Sequence, residues 1–180
     1  MIRPILASVV LGFTIPVLAQ SGSKQDLAST TFVLLVEGRV MDNDDKPLGN
    51  STVRVEQDGK LLAEWVTDPK GRFSVDLDIG GLYAVDVQRI GFVHKRFIVD
   101  SRADDPSKII TVPFEAHISL ITEKALEGAD LEQLDFPFAL VSYDKKERAF
   151  MADPTYIDEM KNLESALMLS SAISRKKKTH

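Results

Sequence analysis

The amino-acid sequence predicts an all-β protein, a seven-stranded antiparallel β-sandwich with a C-terminal hairpin and helix. Three observations carry this prediction. Apolar and polar residues alternate in short runs from Phe32 to Leu120, which is the period of a strand with one buried face. Turn-forming residues separate these runs at regular spacing, as in two packed antiparallel sheets. After Asp153 the apolar residues recur at the spacing of an amphipathic helix.

Strand signals follow one another along this part of the chain. In the first strand, Val36 and Val40 alternate with charged residues. The dipeptide Asp58-Gly59 favours a type I′ hairpin turn between the second and third strands. The last strand carries an apolar stripe from Ile110 to Leu120, and Pro113 lies on its opposite face. Because proline cannot donate to a strand ladder, this strand is predicted to lie at a sheet edge.

The segment Asp68-Pro69-Lys70-Gly71 lies between two alternating runs and is predicted to be a turn rather than a ligand loop. Asp, Pro and Gly at the first, second and fourth positions are the residues that a type I turn favours. Proline presets its own backbone angle, the aspartate side chain caps the turn, and glycine tolerates a positive φ.

Composition argues against several classes of function. Lys plus Arg number 22 against 27 for Asp plus Glu, a net charge of -5, whereas nucleic-acid binding needs a basic face. The absence of cysteine excludes thiol catalysis, disulfides and thiolate metal sites. His94, His117 and His180 have no second ligand at a metal-binding spacing, and the two in strands are predicted to be exposed. No catalytic residue, cofactor or metal site is therefore predicted, and the protein is not predicted to be an enzyme.

The acidic run Asp42-Asn43-Asp44-Asp45 is weighed as a calcium loop, because clustered acids suit a hard cation. In an EF-hand register that begins at Asp42, however, Lys46 would occupy a ligand position and Pro47 would replace the required glycine. The sequence favours a solvated loop, with a looser calcium site as the alternative.

The first 31 residues are predicted to lie outside the fold. Residues 1–19 have a basic start, an apolar run and a small residue before the predicted cut, which is the pattern of a secretory signal peptide. The run is shorter than a spanning helix needs and Pro16 interrupts it. Residues 20–31 are predicted to be a flexible linker. The mature protein is expected to be exported, without a stable membrane span, and to be periplasmic, associated with the outer membrane, or extracellular.

Four motifs occur in order within the predicted sandwich: VEGRV at 36–40, KPLGNSTVRV at 46–55, TDPKGRF at 67–73 and IGF at 90–92. In order and spacing they resemble the carboxypeptidase regulatory-like domain, over residues 32–122. Asn50-Ser51 and Phe92 depart from the usual residues of that family without consequence for the fold. The resemblance implies a transthyretin-like (Ig-like) sandwich that serves as an accessory module of secreted bacterial proteins, without catalytic residues of its own.

Residues 123–180 are predicted to be an appendage to this sandwich. Its parts are a hairpin at 136–151, a helix at 154–173 and a basic tail at 175–178. Asp153 or Thr155 can cap the helix. One apolar face of the helix is predicted to pack on the sandwich or the hairpin, and consists of Tyr156, Met160, Leu163 and Leu167. The alternative is that this face docks on an envelope partner, with the basic tail near anionic lipid.

Two functions from different classes are predicted. The first is a non-catalytic interaction or scaffold module of the bacterial cell envelope, which contacts another envelope protein. The alternative is a module that binds a small ligand, a glycan, through Trp65, Tyr83 or Tyr143. Trp65 shares its strand face with Leu61 and Ala63, so the sequence favours a core position for it.

Overall fold

The structure is a computed structural model that describes residues 33–178. The predicted signal peptide, 1–19, and the predicted linker, 20–31, lie outside the described residues. The described strands are β1 (Val33–Asp42), β2 (Thr52–Gln57), β3 (Lys60–Val66), β4 (Arg72–Asp78), β5 (Leu82–Gln88), β6 (Lys95–Asp100), β7 (Phe114–Leu120), β8 (Ala139–Asp144) and β9 (Ala149–Ala152). Three short 3-10 helices lie at Pro106–Lys108, Glu123–Leu126 and Leu131–Leu134, and the α-helix α1 spans Pro154–Lys178.

The nine strands of residues 33–178 form two sheets, so the protein is mostly β and sandwich-like. The smaller sheet has the order β4-β1-β7 and the larger one the order β3-β2-β5-β6-β8-β9. Most neighbours are antiparallel, but β1 pairs with β7 and β6 pairs with β8 in parallel. The prediction that the sandwich is wholly antiparallel is therefore wrong, and its predicted count of seven strands is not confirmed, because the two sheets contain nine strands, including those of the hairpin. Parallel neighbours need a long crossover, and 38 residues, 101–138, separate β6 from β8.

The predicted C-terminal hairpin is present, and it extends the larger sheet. β8 lies beside β6, and β9 pairs antiparallel with β8. Ala139, Val141 and Phe150 of the hairpin are buried in the same core as the strands that precede them. Removing the C-terminal third would therefore remove part of this core.

The main core lies between the two sheets and uses the side chains that alternate along the strands. Its most deeply buried members include Val36, Val40, Val53, Val55, Val85, Val87, Phe97, Val99, Ile118 and Leu120. Full burial of a side chain of this kind contributes roughly 1.5–3 kcal/mol. The predicted edge position of the last strand of the sandwich is confirmed, because β7 has only β1 as a neighbour in its sheet.

The predicted turn at residues 68–71 is confirmed. The backbone N–H of Gly71 donates to the carbonyl of Asp68 at 2.9 Å, and φ of Gly71 is 74°. Oδ1 of Asp68 accepts hydrogen bonds from the backbone N–H groups of Lys70 and Arg72, each at 2.8 Å. The carboxylate therefore stabilises the backbone of its own turn by accepting these hydrogen bonds.

Asp68 is expected to make stability depend on pH in the acid range. The hydrogen bond from the backbone N–H of Arg72 is the largest cause that lowers the pKa of Asp68. Its contribution is therefore present above the unfolded-state pKa of about 4 and is lost as the pH falls through the lower folded-state value. We expect Asp68→Asn to reduce the decline of the thermal unfolding midpoint below about pH 4. Equal declines in the two proteins across a pH series would contradict this expectation.

Hydrogen bonds join two loops that carry the chain from one sheet to the other. The N–H of Thr67 donates to the carbonyl of Ser51 at 2.9 Å, and Oγ of Ser51 donates to the carbonyl of Leu48 at 2.8 Å. The N–H of Leu48 in turn donates to the carbonyl of Val40 at 2.9 Å, and the N–H of Val40 to the carbonyl of Gly71 at 2.8 Å. The second and third sequence motifs therefore build one corner of the sandwich.

Helix α1 packs on the protein through the predicted face. Oδ1 of Asp153 accepts hydrogen bonds from the N–H groups of Thr155 and Tyr156 at 2.9 and 3.2 Å, so Asp153 is the N-cap. Leu167 is buried in a second, small cluster with Ile121 and Leu126. The helix continues past 173 through the segment that was predicted to be a basic tail. No helix within residues 33–178 has the length and apolarity needed to span a membrane.

Candidate functional site

A cleft opens between strand β7 and helix α1, above the inner face of the larger sheet. Three strands of the smaller sheet face six strands of the larger one, so part of the larger sheet extends beyond the smaller one. Phe97 of β6 and Ala139 of β8 lie at the bottom of the cleft. Its volume is about 370 Å³.

The lining of the cleft is apolar inside and charged at its edges. The apolar part includes Phe97, Phe114, Ala116, Phe138, Ile157 and Met160. The polar part includes Lys95, Glu115, His117, Lys161 and Glu164. A concave apolar surface with a few polar groups is the usual form of a binding site in proteins.

An ion pair joins the larger sheet to α1 at the side of this cleft. Nζ of Lys95 lies 2.5 Å from Oε1 of Glu164, and the two side chains are 13% and 17% exposed. The same Nζ lies 5.7 Å from the ring centroid of Phe138, within cation–π range. The ammonium of Lys95 thus contacts both a carboxylate and an aromatic face. Because Lys95 lies on the sheet and Glu164 on α1, the ion pair links these two walls of the cleft.

The two histidines within the described residues are exposed, as predicted. Nε2 of His94 lies 3.8 Å from Oδ1 of Asp135. His117 lies on β7, at the edge of the cleft near Glu115. The third, His180, lies outside the described residues.

The acidic loop uses its carboxylates within itself. Oδ1 of Asp42 accepts hydrogen bonds from the N–H groups of Asp44 and Lys46 at 2.8 and 3.0 Å. Nζ of Lys46 lies 3.2 Å from Oδ2 of Asp44. Among residues 33–178 there is no group of three or more histidine or acidic side chains placed to hold a metal ion.

The structure does not bring the three candidate glycan contacts together. Tyr83 is buried, and its hydroxyl donates to the carbonyl of Asp78 at 3.1 Å. Trp65 is half-buried and packs against the main core, on the face of Ala63 but not of Leu61, because the register of β3 shifts between them. The ring of Tyr143 lies 5.6 Å from that of Phe150. None of the three aromatic side chains lines the cleft between β7 and α1.

Sequence reasoning did not find the cleft or its ion pair. Lys95 lies on the same strand stripe as Phe97 and Val99, and Glu164 lies beside the apolar face of the predicted helix. A charge on an apolar stripe is a signal, because buried charges in proteins are usually paired. This signal identifies the two residues but not their pairing.

The family comparison follows the part of the fold that holds the four motifs. Residues 36–113 match the carboxypeptidase regulatory-like domain. The match confirms the resemblance and runs from β1 to the residue before β7. Lys95 and Phe97 of the cleft fall within the matched residues, whereas β7, the hairpin and α1 lie outside them.

The solved structures that are similar to this chain have low sequence identities and low TM-scores. The Bacillus anthracis TIE protein is 18% identical at a TM-score of 0.41, and the alignment covers 50% of this chain and 17% of that one. Catechol 1,2-dioxygenase from Pseudomonas arvilla C-1 is 12% identical at a TM-score of 0.35, covering 54% of each chain. Hydroxyquinol 1,2-dioxygenase from Pseudomonas putida DLL-E4 is 13% identical at 0.37, covering 53% of this chain and 58% of that one.

The chain thus spans less than two thirds of each of these three proteins, and similarity at this level assigns no activity. No curated protein matches the chain.

Proposed function

We propose that the protein is an exported, non-catalytic interaction module of the bacterial cell envelope, and that it holds an apolar side chain of a partner protein in the cleft between β7 and α1. The observation that supports this function best is the cleft itself. It combines a volume of about 370 Å³ and an apolar interior with charged residues at its edges. Protein interfaces commonly place a large anchoring side chain in such a pocket, within a polar rim.

The chemistry of the cleft favours a protein partner over a glycan. A sugar needs several hydrogen-bonding groups next to its ring, whereas Phe97, Phe114 and Ile157 present carbon atoms to the interior. Charges of both signs, from Lys161 and Glu115, stand at the edges and suit the mixed polar rim of a protein interface.

Two further observations support the rest of the proposal. Residues 1–19 have the pattern of a secretory signal peptide. The match at residues 36–113 is to a regulatory-like domain, which supports a role beside another protein rather than catalysis.

The test is site-specific photo-crosslinking of the mature chain, residues 20–180, in native envelope extract. A photoreactive residue replaces Met160, which lines the cleft, or Asn162, which is exposed on another face of the helix. We expect a crosslinked protein from position 160 and none from position 162. Ile157→Trp, which fills the cleft, is expected to abolish the crosslink, with circular dichroism and thermal unfolding as the control for folding.

Equal crosslinking from both helix positions, or a crosslink that persists in Ile157→Trp, would show that the partner does not bind in the cleft. A glycan retained by the mature chain and lost on Trp65→Ala would favour the other predicted function. Point variants are preferred to truncation at Thr122, because that deletion would take β8, β9 and α1 with it.

A further inference from the structure

The cleft between β7 and α1 runs along the free edge of strand β7. Phe114 and Ala116 lie on the inner face of this strand, and Glu115, His117 and Ser119 lie on its outer face, because successive side chains alternate. All five residues line the cleft. A surface that touches both faces of one strand passes along its edge, and β1 occupies the opposite edge.

The backbone groups at this free edge have no partner within residues 33–178. β1 is the strand that pairs with β7, and no backbone hydrogen bond outside that pairing involves residues 114–120. The edge therefore presents a row of N–H and C=O groups to the cleft, which is a template for a further strand. Helix α1 forms the opposite wall, and a helix beside an edge hinders pairing with a whole second sheet.

The dimensions of the cleft fit a short extended segment. Ile157 and Glu164 of α1 both line it, and seven helical residues span about 10 Å. An extended chain rises about 3.3 Å per residue, so about three residues fit along this wall. The space lies beside Ala116, Ala139 and Ala152, whose short side chains leave room for one large apolar side chain.

The charges on the outer face of the smaller sheet favour particular neighbours for β7. Glu37 of β1 lies beside Glu115, and Arg39 of β1 lies beside His117. Glu37, Glu115 and Arg39 form no ion pair within the described part of the chain. Opposite charges on neighbouring strands stabilise a sheet and like charges destabilise it. A strand beside β7 is therefore favoured when it places a basic residue next to Glu115 and an acidic one next to His117.

We propose that the partner contributes an extended segment that pairs with β7 as a fourth strand of the smaller sheet. This inference rests on the proposed function and adds the form of the partner. Antiparallel pairs are the commoner kind, and in that direction the segment reads apolar, acidic, apolar, basic, apolar. Its central side chain lies opposite Ala116 and enters the cleft, between an acidic residue opposite His117 and a basic residue opposite Glu115.

The test is binding of the synthetic peptide acetyl-Ser-Val-Glu-Phe-Lys-Val-Ser-amide to the mature chain, residues 20–180, followed by NMR titration. We expect saturable binding that depends on the peptide backbone with a period of two. N-methylation at alternate residues removes donors that face β7 and is expected to raise the dissociation constant about tenfold or more. N-methylation at the intervening residues, whose N–H groups point away from β7, is expected to change it by less than about twofold.

Two results of this scan would overturn the strand. One is an equal effect of N-methylation at successive residues, and the other is no binding of the peptide at millimolar concentration. Either result leaves the proposed function open to its own test, because a crosslink from Met160 depends on a protein in the cleft and not on backbone pairing.

Glu115→Lys tests the register. It places two basic residues side by side and is expected to weaken the peptide about fivefold. A peptide with glutamate in place of its lysine is expected to recover this affinity. Glu159→Lys is the matched control, because Glu159 is exposed on α1 and does not line the cleft. Equal weakening by the two folded variants, or no recovery with the exchanged peptide, would contradict the pairing.

Hydrogen exchange of the β7 amides tests whether another occupant already covers the edge. In the chain alone, we expect alternate amides of residues 114–120 to exchange rapidly and to become protected when the peptide binds. Protection of all these amides without the peptide would show that another segment of this chain or a second copy already pairs with β7, and would overturn the proposal.

Discussion

Gly71→Ala is expected to destabilise the protein by about 3 kcal/mol, the sum of a left-handed backbone cost and an overpacking cost. Gly71 has φ of 74°, and a Cβ at this position would lie 2.2 Å from the carbonyl oxygen of Val40. That oxygen has little freedom to move, because it accepts the N–H of Leu48 at 2.9 Å. The strain would therefore reach both loops that pass between the sheets.

Gly59→Ala is the matched control for this prediction. Gly59 also has φ of 74°, but no atom lies within 4 Å of the position that its Cβ would take. The backbone cost alone should then remain, about 1 kcal/mol. The free energy of unfolding from urea titrations measures both variants. Equal losses would show that the close approach of Gly71 to Val40 does not contribute.

Local sequence signals predicted the turns well, because a turn depends on the residues that form it. Asp58 and Gly59 both have positive φ, 51° and 74°, which confirms the type I′ turn expected from their identities. The turn at 68–71 was predicted in the same way. In each case the preference of glycine, aspartate or proline for a backbone conformation acts within four residues.

Strand alternation identified the buried faces but not the neighbours of each strand. The side chains of Val36 and Val40 were correctly assigned to one face, and both are fully buried. Whether β7 runs parallel to β1, or β8 joins β6, depends on long connections that local periodicity does not describe. Local periodicity predicted the hairpin itself but not its pairing with β6 in the larger sheet.

The third strand shows how sheet size decides exposure. Its apolar residues on both faces are consistent with a strand covered on both sides, yet almost all of them are exposed. The smaller sheet has three strands and the larger one six, so an outer strand of the larger sheet lacks a facing layer. The same mismatch in strand number leaves room for the cleft beside α1, which no local pattern could predict.

Removing one partner of the Lys95–Glu164 pair is expected to cost about 2 kcal/mol of stability, less than a fully buried pair because both side chains retain some solvent contact. In Glu164→Leu, the ammonium of Lys95 would keep its largely buried position, with 13% exposure, without the carboxylate that now lies 2.5 Å away. In Lys95→Met, the carboxylate of Glu164, whose side chain is 17% exposed, would lose its cation, and we expect this substitution to cost a similar amount.

The double variant Lys95→Met/Glu164→Leu decides whether the two charges stabilise the protein only through each other. Apolar residues of similar volume can replace a buried ion pair at little cost, so the double variant should be more stable than either single one. Urea titrations of the four proteins form the double-mutant cycle, and a coupling of at least about 1 kcal/mol is expected. Lys161→Met, on the same helix but exposed, should change stability by no more than about 0.5 kcal/mol. Losses that simply add in the double variant would show that the sheet and α1 are held together by their apolar contacts alone.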